Sequence, residues 1–244
     1  MSVIAAERIK LTSTRSPWWC AAFGVVATIG VASISMTADD LSGFSGVTAT
    51  QLGYGLGMAV IMVMATLAVT TEYSVGMIRT TFLAVPNRTV SLLAKASVVA
   101  VAAGLIGLVT AFGSWAMGLV LLPEADLALH GPTEWRQVAG VGLVFLVAAV
   151  FAVAVGVLVR HTAGAVAIVL TWALMVEQLL ALIPGFEAVV TWLPFQAAKQ
   201  FLLAGQTPEG LGLTEQPWVA MGYFATVSAG LLAVAIGVAR RRDA

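Results

Sequence analysis

Six long apolar runs, almost free of charged residues, constrain this chain more than any other feature of its sequence. The hydrocarbon core of a membrane is about 30 Å thick, and a helix that rises about 1.5 Å per residue crosses it in about 20 residues. Stretches of this length lie at residues 18–36, 52–70, 96–122, 138–159, 163–183 and 217–239. Because they are apolar on all sides and do not alternate in polarity, the pattern predicts helices rather than barrel strands.

The composition supports this prediction. Hydrophobic residues make up 60% of the 244 positions and charged residues only 10%, whereas soluble domains have about 45–50% and about 25%. The single cysteine, Cys20, excludes an internal disulfide and a thiolate metal cluster. We therefore expect an all-α integral membrane protein, with one transmembrane domain over residues 1–244.

The placement of charges predicts how the chain is oriented, because short cytoplasmic loops carry an excess of Lys and Arg. With a cytoplasmic N-terminus, ten of the twelve basic residues lie inside, namely Arg8, Lys10, Arg15, Arg79, Arg88, Lys95, Arg160, Arg240, Arg241 and Arg242. The outer segments then hold only Arg136 and Lys199, together with eight acidic residues. We predict a multi-pass protein of the plasma membrane with both termini in the cytoplasm.

Two cytoplasmic segments are expected to contain short helices. Residues 1–17 are basic and predict an interfacial elbow helix that faces anionic lipid headgroups. Residues 72–95 are longer than a hairpin needs. They predict a short helix, a turn at Pro86, and a second helix capped by Asn87 or Thr89.

The outer connections differ in character. Residues 41–51 are rich in Gly, Ser and Thr and predict a loop. The external segment 184–216 contains an apolar stretch, 189–203, which is interrupted by Pro194. Non-helical backbone at membrane depth must be buried or line a cavity, so we expect short external re-entrant helices before the last span.

Several motifs of catalysis and metal binding are missing from the sequence. It contains no G-x-x-x-x-G-K-[ST], so the chain lacks the loop that cradles nucleotide phosphates. His130 and His161 fall on opposite sides of the predicted membrane and cannot share a metal ion. We predict no catalytic residue, no metal site and no cofactor bound by this chain.

Glu177 and two glycines are the other candidates for functional residues. Glu177 is the one acid well inside a span, where a charge is costly and often functional. It could serve a structural hydrogen bond near the outer interface, involving Gln178, or lie on a substrate path. Gly53 and Gly57 have the G-x-x-x-G spacing that allows two helices to approach closely, which could form a subunit interface.

Three stretches carry a resemblance to a known family. The chain opens with AAERIKLTSTRSPWW, joins its second and third spans with TEYSVGMIRTTFLAVPNR and LLAKA, and has Leu193-Pro194-Phe195 before its last span. Together they resemble the type 2 permeases of ATP-binding-cassette exporters, particularly the short drug- or antibiotic-export permeases of actinobacteria. In that family, a second span that runs into E-Y-x-x-G-x-I-R, a proline turn and a lysine is a recurrent signature.

The resemblance implies a division of labour between subunits. The first cytoplasmic loop would be a coupling helix that docks on a separate ATPase, with the contact at Glu72, Tyr73, Gly76, Met77, Ile78 and Arg79. Two ATPase subunits would bind ATP and Mg, and two permease chains, identical or related, would form the pathway in the lipid membrane. The transported substrate would be hydrophobic or amphipathic, such as a drug, an antibiotic, a lipid or a peptide-like molecule, and no nucleic acid is implied.

Other readings remain open at this point. A stand-alone ion- or proton-coupled carrier or channel would need several paired ionisable residues inside the spans, and only Glu177 is available. An intramembrane enzyme would need a catalytic cluster on one side; Ser114 lies in a span, but neither histidine is expected at its depth. The loop 72–95 could also be basic only because orientation requires it.

Overall fold

The computed structural model describes residues 3–37, 46–77, 81, 87–203 and 216–241. Within these ranges the chain is helical and contains no strand. Six helices are long and apolar enough to cross a membrane, and we number them in chain order as the first to sixth long helices: Arg15–Thr37, Gly46–Ser74, Arg88–Leu121, Pro132–Val159, Thr162–Ala181 and Pro217–Arg241. The predicted all-α fold with six long apolar helices is confirmed, and it fits a multi-pass membrane protein.

Shorter elements complete the described fold. A helix over Val3–Ser13, here the N-terminal helix, precedes the first long helix. Two short helices, Glu187–Val190 and Pro194–Leu203, lie between the fifth and the sixth. The fifth long helix is interrupted by a π-helical turn at Trp172–Val176. Whether the N-terminal helix lies on a membrane surface, and whether the two short helices re-enter the membrane, stay predictions.

The third long helix begins at Arg88, eight residues before the apolar span predicted at 96–122. Asn87 caps it, because its side-chain oxygen accepts hydrogen bonds from the backbone N–H groups of Thr89 and Val90 at 3.1 and 3.4 Å. The predicted span began later than the helix because a charge, Lys95, was treated as a boundary. In the structure the helix continues through this lysine, which is paired with acidic side chains.

Residues 46–51 correct another expectation. They were predicted as part of a loop, but they form a buried 3-10 helix that leads into the second long helix. The side-chain amide of Gln51 donates to the backbone oxygen of Ala111 at 3.2 Å, which attaches this turn to the third long helix. Backbone enclosed by protein must be hydrogen-bonded, and a 3-10 turn satisfies that requirement within its own segment. Residues 41–45 lie outside the described ranges.

The fourth long helix forms the centre of the bundle. In an apolar stretch of 18 residues from this helix, 72% of the residues are buried. The corresponding shares are 17% in the first long helix and 22% in the fifth. Glycines allow the third and fourth helices to pack closely: a Cβ on Gly107 would lie 2.9 Å from the Cβ of Phe145. The first and fifth long helices are therefore mostly exposed at the surface of the bundle.

Candidate functional site

Several helix ends meet at one end of the bundle, and most of the described basic residues lie there. Lys95 of the third long helix contacts Glu72 at the end of the second. The guanidinium of Arg160, after the fourth, lies 5.2 Å from the ring centre of Tyr73. Arg88 donates a hydrogen bond to the backbone oxygen of Ala239, near the end of the sixth, at 3.0 Å. This basic end corresponds to the side that charge placement predicts to be cytoplasmic.

A cluster of four charged side chains, three of them buried, lies at this basic end. The Nζ atom of Lys95 is 2.5 Å from Oε2 of Glu7 and 2.8 Å from Oε1 of Glu72. All three side chains are at least nine-tenths buried. An ion pair in such a place requires hydrogen bonds between its members to offset the loss of hydration. Lys95 therefore joins the N-terminal helix to the second and third long helices.

Lys10 is the fourth member of the cluster and the most exposed one. Its Nζ atom lies 3.0 Å from Oε1 of Glu7, 3.2 Å from Oε1 of Glu72 and 3.2 Å from Oγ1 of Thr81. Burial lowers the pKa of Lys10, but the hydrogen bond to Glu7 and the charge of Glu72 raise it more, so the pKa lies above its usual 10.5. Lys10 therefore stays protonated at any physiological pH, and the contribution of its ion pairs is lost only as pH rises through that raised value.

Sequence reasoning did not choose Glu7, Lys10 or Lys95 as site residues. It used the two lysines to orient the chain, and all three stand in the stretches that carry the family resemblance, but no contact between them was predicted. Two local signals were present. Glu7 and Lys10 are three residues apart on a helix and can pair on one face. Lys95 follows the Asn87 cap by two turns, which places it inside the helix rather than before it. Neither signal indicates that the pairs meet across the bundle.

A cavity of about 200 Å³ lies beside the charged cluster. It is lined by the N-terminal helix, the starts of the first and third long helices and the end of the second. Its wall is lined by Glu7, Lys10, Leu11, Ser13, Thr14, Pro17, Ala68, Thr71, Glu72, Met77, Lys95, Val98 and Val99. The cavity thus has charged and hydroxyl groups as well as aliphatic side chains on its wall.

Four of the six predicted coupling residues are described, and they lie together at the basic end. Glu72 belongs to the charged cluster, and Tyr73 packs under Arg160. Gly76 has a backbone φ of +72°, a left-handed conformation that favours glycine and ends the second long helix. Met77 lines the cavity. Ile78 and Arg79 lie outside the described residues, so the ATPase contact stays a prediction.

Glu177 caps a neighbouring helix. Its carboxylate accepts hydrogen bonds from the backbone N–H groups of Phe195 and Gln196 at 3.2 and 2.8 Å, and from the indole N–H of Trp172 at 3.0 Å. These two backbone groups belong to the first turn of the helix Pro194–Leu203, where N–H groups have no partner within the helix. A negative charge is also favourable at a helix N-terminus. Glu177 is 2% exposed and holds this helix against the fifth long helix.

We predict that Glu177→Gln lowers the free energy of unfolding by about 2 kcal/mol, because the charge is lost and the amide NH₂ group faces backbone donors. Thermal unfolding of the purified protein in detergent measures this. Glu187→Gln is the matched control, since it makes the same change at an exposed glutamate ten residues further along, and it should change stability by less than about 0.5 kcal/mol. A stable Glu177→Gln protein would contradict the capping role.

Gly53 and Gly57 lie against the first long helix of the same chain. A Cβ on Gly53 would be 2.1 Å from the backbone oxygen of Thr28, and one on Gly57 would be 1.9 Å from Thr28 Oγ1. The close approach expected from the G-x-x-x-G spacing therefore occurs between two helices of one chain. On that face the glycines are already covered, so we do not include them in a subunit contact.

Among the described residues, no group of three or more His, Cys, Asp and Glu side chains could hold a metal ion. His161 instead caps the fifth long helix, where its Nδ1 accepts a hydrogen bond from the backbone N–H of Gly164 at 3.2 Å. His130 lies near Asp126, with 3.4 Å between Nε2 and Oδ1.

Comparison of the sequence with protein-family models and with curated proteins found no match.

Proposed function

We propose that this chain is the transmembrane subunit of an ATP-driven exporter, in which a separate ATPase supplies the energy. Two copies of the ATPase would bind ATP and Mg and dock on the segment that follows the second long helix. The chain would work beside a second permease chain in the plasma membrane, with both termini in the cytoplasm. Its substrate would be a hydrophobic or amphipathic molecule that leaves the cell.

The charged cluster is the observation that carries this proposal. Glu72, at the start of the proposed docking segment, is ion-paired to the N-terminal helix and to the third long helix. Lys10 also bonds to Thr81 within that segment. A displacement of this segment would therefore be transmitted through buried ion pairs to the N-terminal helix and to the second and third long helices. A loop that was basic only for orientation would not need such attachments.

The exposed face of the fifth long helix supports a second permease chain. Thr171 and Gln178, which lie on either side of its π-helical turn, are both exposed. Polar side chains commonly join helices to one another within membranes. We propose that a second chain, or the pathway between two chains, covers this face.

No observation favours the carrier or channel alternative. Such a protein would use ionisable groups inside its spans to bind and move an ion or proton. The carboxylate of Glu177 is occupied by two backbone N–H groups and an indole N–H. Glu72 and Lys95 are paired at the basic end of the bundle. Each of these charges has a structural partner.

The test of the proposal is co-purification with the ATPase encoded beside this gene. Wild-type chain and ATPase should co-purify, and ATP hydrolysis should change by at least a few-fold when the permease is present. Arg79→Glu should weaken this association about tenfold or more, because it reverses a charge at the proposed contact. Gly76→Pro should uncouple hydrolysis from the permease, because proline cannot adopt φ +72°.

Arg241→Glu is the matched control, since it makes the same charge change at the same end of the bundle, at the end of the sixth long helix. It should leave association and hydrolysis unchanged. If Arg79→Glu and Gly76→Pro also leave them unchanged, the docking segment is assigned wrongly. If no ATPase associates with the wild-type chain, the exporter proposal itself fails.

A further inference from the structure

The cavity beside the charged cluster has a polarity gradient along the bundle. Its charged lining, including Glu72 and Lys95, lies nearer the basic end. Ala68 precedes Glu72 by one helical turn and Val98 follows Lys95 by one, and both lie toward the middle of the bundle. An occupant would therefore have a polar group at the basic end and an apolar group deeper in the bundle. An amphiphile of the adjacent leaflet has this orientation.

The size of the cavity limits what it can hold. Ligand pockets for drug-sized molecules are about 300–1,000 Å³, larger than the 200 Å³ found here. A water molecule takes up about 30 Å³ of the liquid, so the cavity has room for roughly seven groups of that size. This is the scale of a headgroup with its first methylene groups, so the rest of a lipid or drug would lie outside the cavity.

The charges on the wall indicate the kind of headgroup. Glu7 and Glu72 carry two negative charges, Lys10 and Lys95 carry two positive charges, and all four line the cavity. A headgroup with a single charge would be repelled by half of them, whereas a headgroup with both signs can be arranged to complement both. Among the described residues, none donates a hydrogen bond to Oε2 of Glu72. This oxygen is buried, so the Glu72 side chain would rotate for it to accept a hydrogen bond from an ammonium group in the cavity.

We propose that this cavity binds the zwitterionic head of an amphiphile, with its phosphate near Lys10, its ammonium near the two carboxylates, and its chain against Leu11, Val98 and Val99. The proposal goes beyond the exporter function and does not depend on the ATPase. The amphiphile could be a resident membrane lipid or a transported molecule of the same chemistry. Both sources have an ammonium group and a phosphate joined to an apolar chain.

The test measures whether a short-chain lipid protects the cavity wall. Cys20 is first replaced by Ala, and Val98→Cys then provides one reporter thiol. The protein, in maltoside detergent, is labelled with N-ethylmaleimide in the presence of dihexanoyl phosphatidylethanolamine or dihexanoyl phosphatidylglycerol. The ethanolamine lipid should slow labelling at least fivefold and the glycerol lipid less than twofold, because only the first has an ammonium group.

Two comparisons show whether the cavity is responsible. Val101→Cys, on an exposed face of the same helix, should be labelled at the same rate with either lipid. Adding Lys10→Gln to the Val98→Cys protein should reduce the protection severalfold, because the phosphate loses its partner. Equal protection by the two lipids would overturn the zwitterionic assignment, and no protection by either would mean that the cavity holds only water.

Mass spectrometry of the purified wild-type protein distinguishes the two sources. A resident lipid would remain bound through purification, and an aminophospholipid would be detected in about equimolar amount. A transported amphiphile would instead be absent after purification, and the protection of Val98→Cys would disappear on dilution. Either result is consistent with the site, provided that the ethanolamine lipid protects the thiol.

Discussion

Lys95→Met should destabilise the protein by about 3–5 kcal/mol, the usual cost of removing one partner from a buried ion pair. The substitution leaves Glu7 and Glu72 buried with only Lys10 between them, and the side chain of Lys10 is 37% exposed. For a chain of this length, the corresponding fall in the unfolding temperature is on the order of 10 °C. Thermal unfolding in detergent, followed by tryptophan fluorescence, measures it.

A second substitution separates the loss of the ion pair from a general packing defect. In the Lys95→Met protein, Glu7 and Glu72 are two carboxylates that have lost their buried partner. Adding Glu7→Gln removes one of these two charges, and Glu72 keeps its contact with Lys10. We expect the double variant to recover at least half of the lost stability, because neighbouring substitutions that share a partner are not additive. A double variant less stable than Lys95→Met alone would show that charge pairing is not the reason for the loss.

Gly53→Ala should produce the second large effect. Its Cβ would lie 2.1 Å from the backbone oxygen of Thr28, and backbone cannot rotate away as a side chain can. The first and second long helices would have to separate, and we expect a loss of about 3 kcal/mol, at the upper end of overpacking effects. Thermal unfolding in the same detergent provides the measurement.

Gly55→Ala is the matched control for this prediction. Gly55 lies two residues further along, inside the same long helix, and a Cβ there would have no neighbour within 4 Å. Alanine is favoured over glycine in a helix by about 0.8–1 kcal/mol, so this variant should be as stable as the wild type or slightly more stable. If both alanine variants behave alike, the close approach at Thr28 does not limit how these helices pack.

Comparison of sequence and structure shows why some features were predictable. The six apolar helices could be found in advance, because each depends on the length and hydropathy of one continuous segment. The Asn87 cap was one of two predicted alternatives, since capping depends on neighbouring residues. The boundaries were less accurate, because the rule that a charge ends a span fails where the charge has a partner in another helix, as at Lys95.

The candidate site was only partly predictable. Glu72, Tyr73, Gly76 and Met77 were chosen from a family resemblance, and they lie together at the basic end of the bundle. Glu7, Lys10 and Lys95 were not chosen. Lys95 is far from Glu7 in the sequence, and hydropathy carries no information about which charges meet across a bundle.

The sequence by itself determined that this chain is helical, that six segments are apolar enough to cross a membrane, and which of their ends carry the basic residues. These properties follow from local composition. The tertiary structure decided that Lys95 binds Glu7 and Glu72, and that Glu177 caps a helix which begins at Pro194. Such partners are determined by how helices pack, because the cost of a buried charge is offset only by a group that packing brings within hydrogen-bond distance.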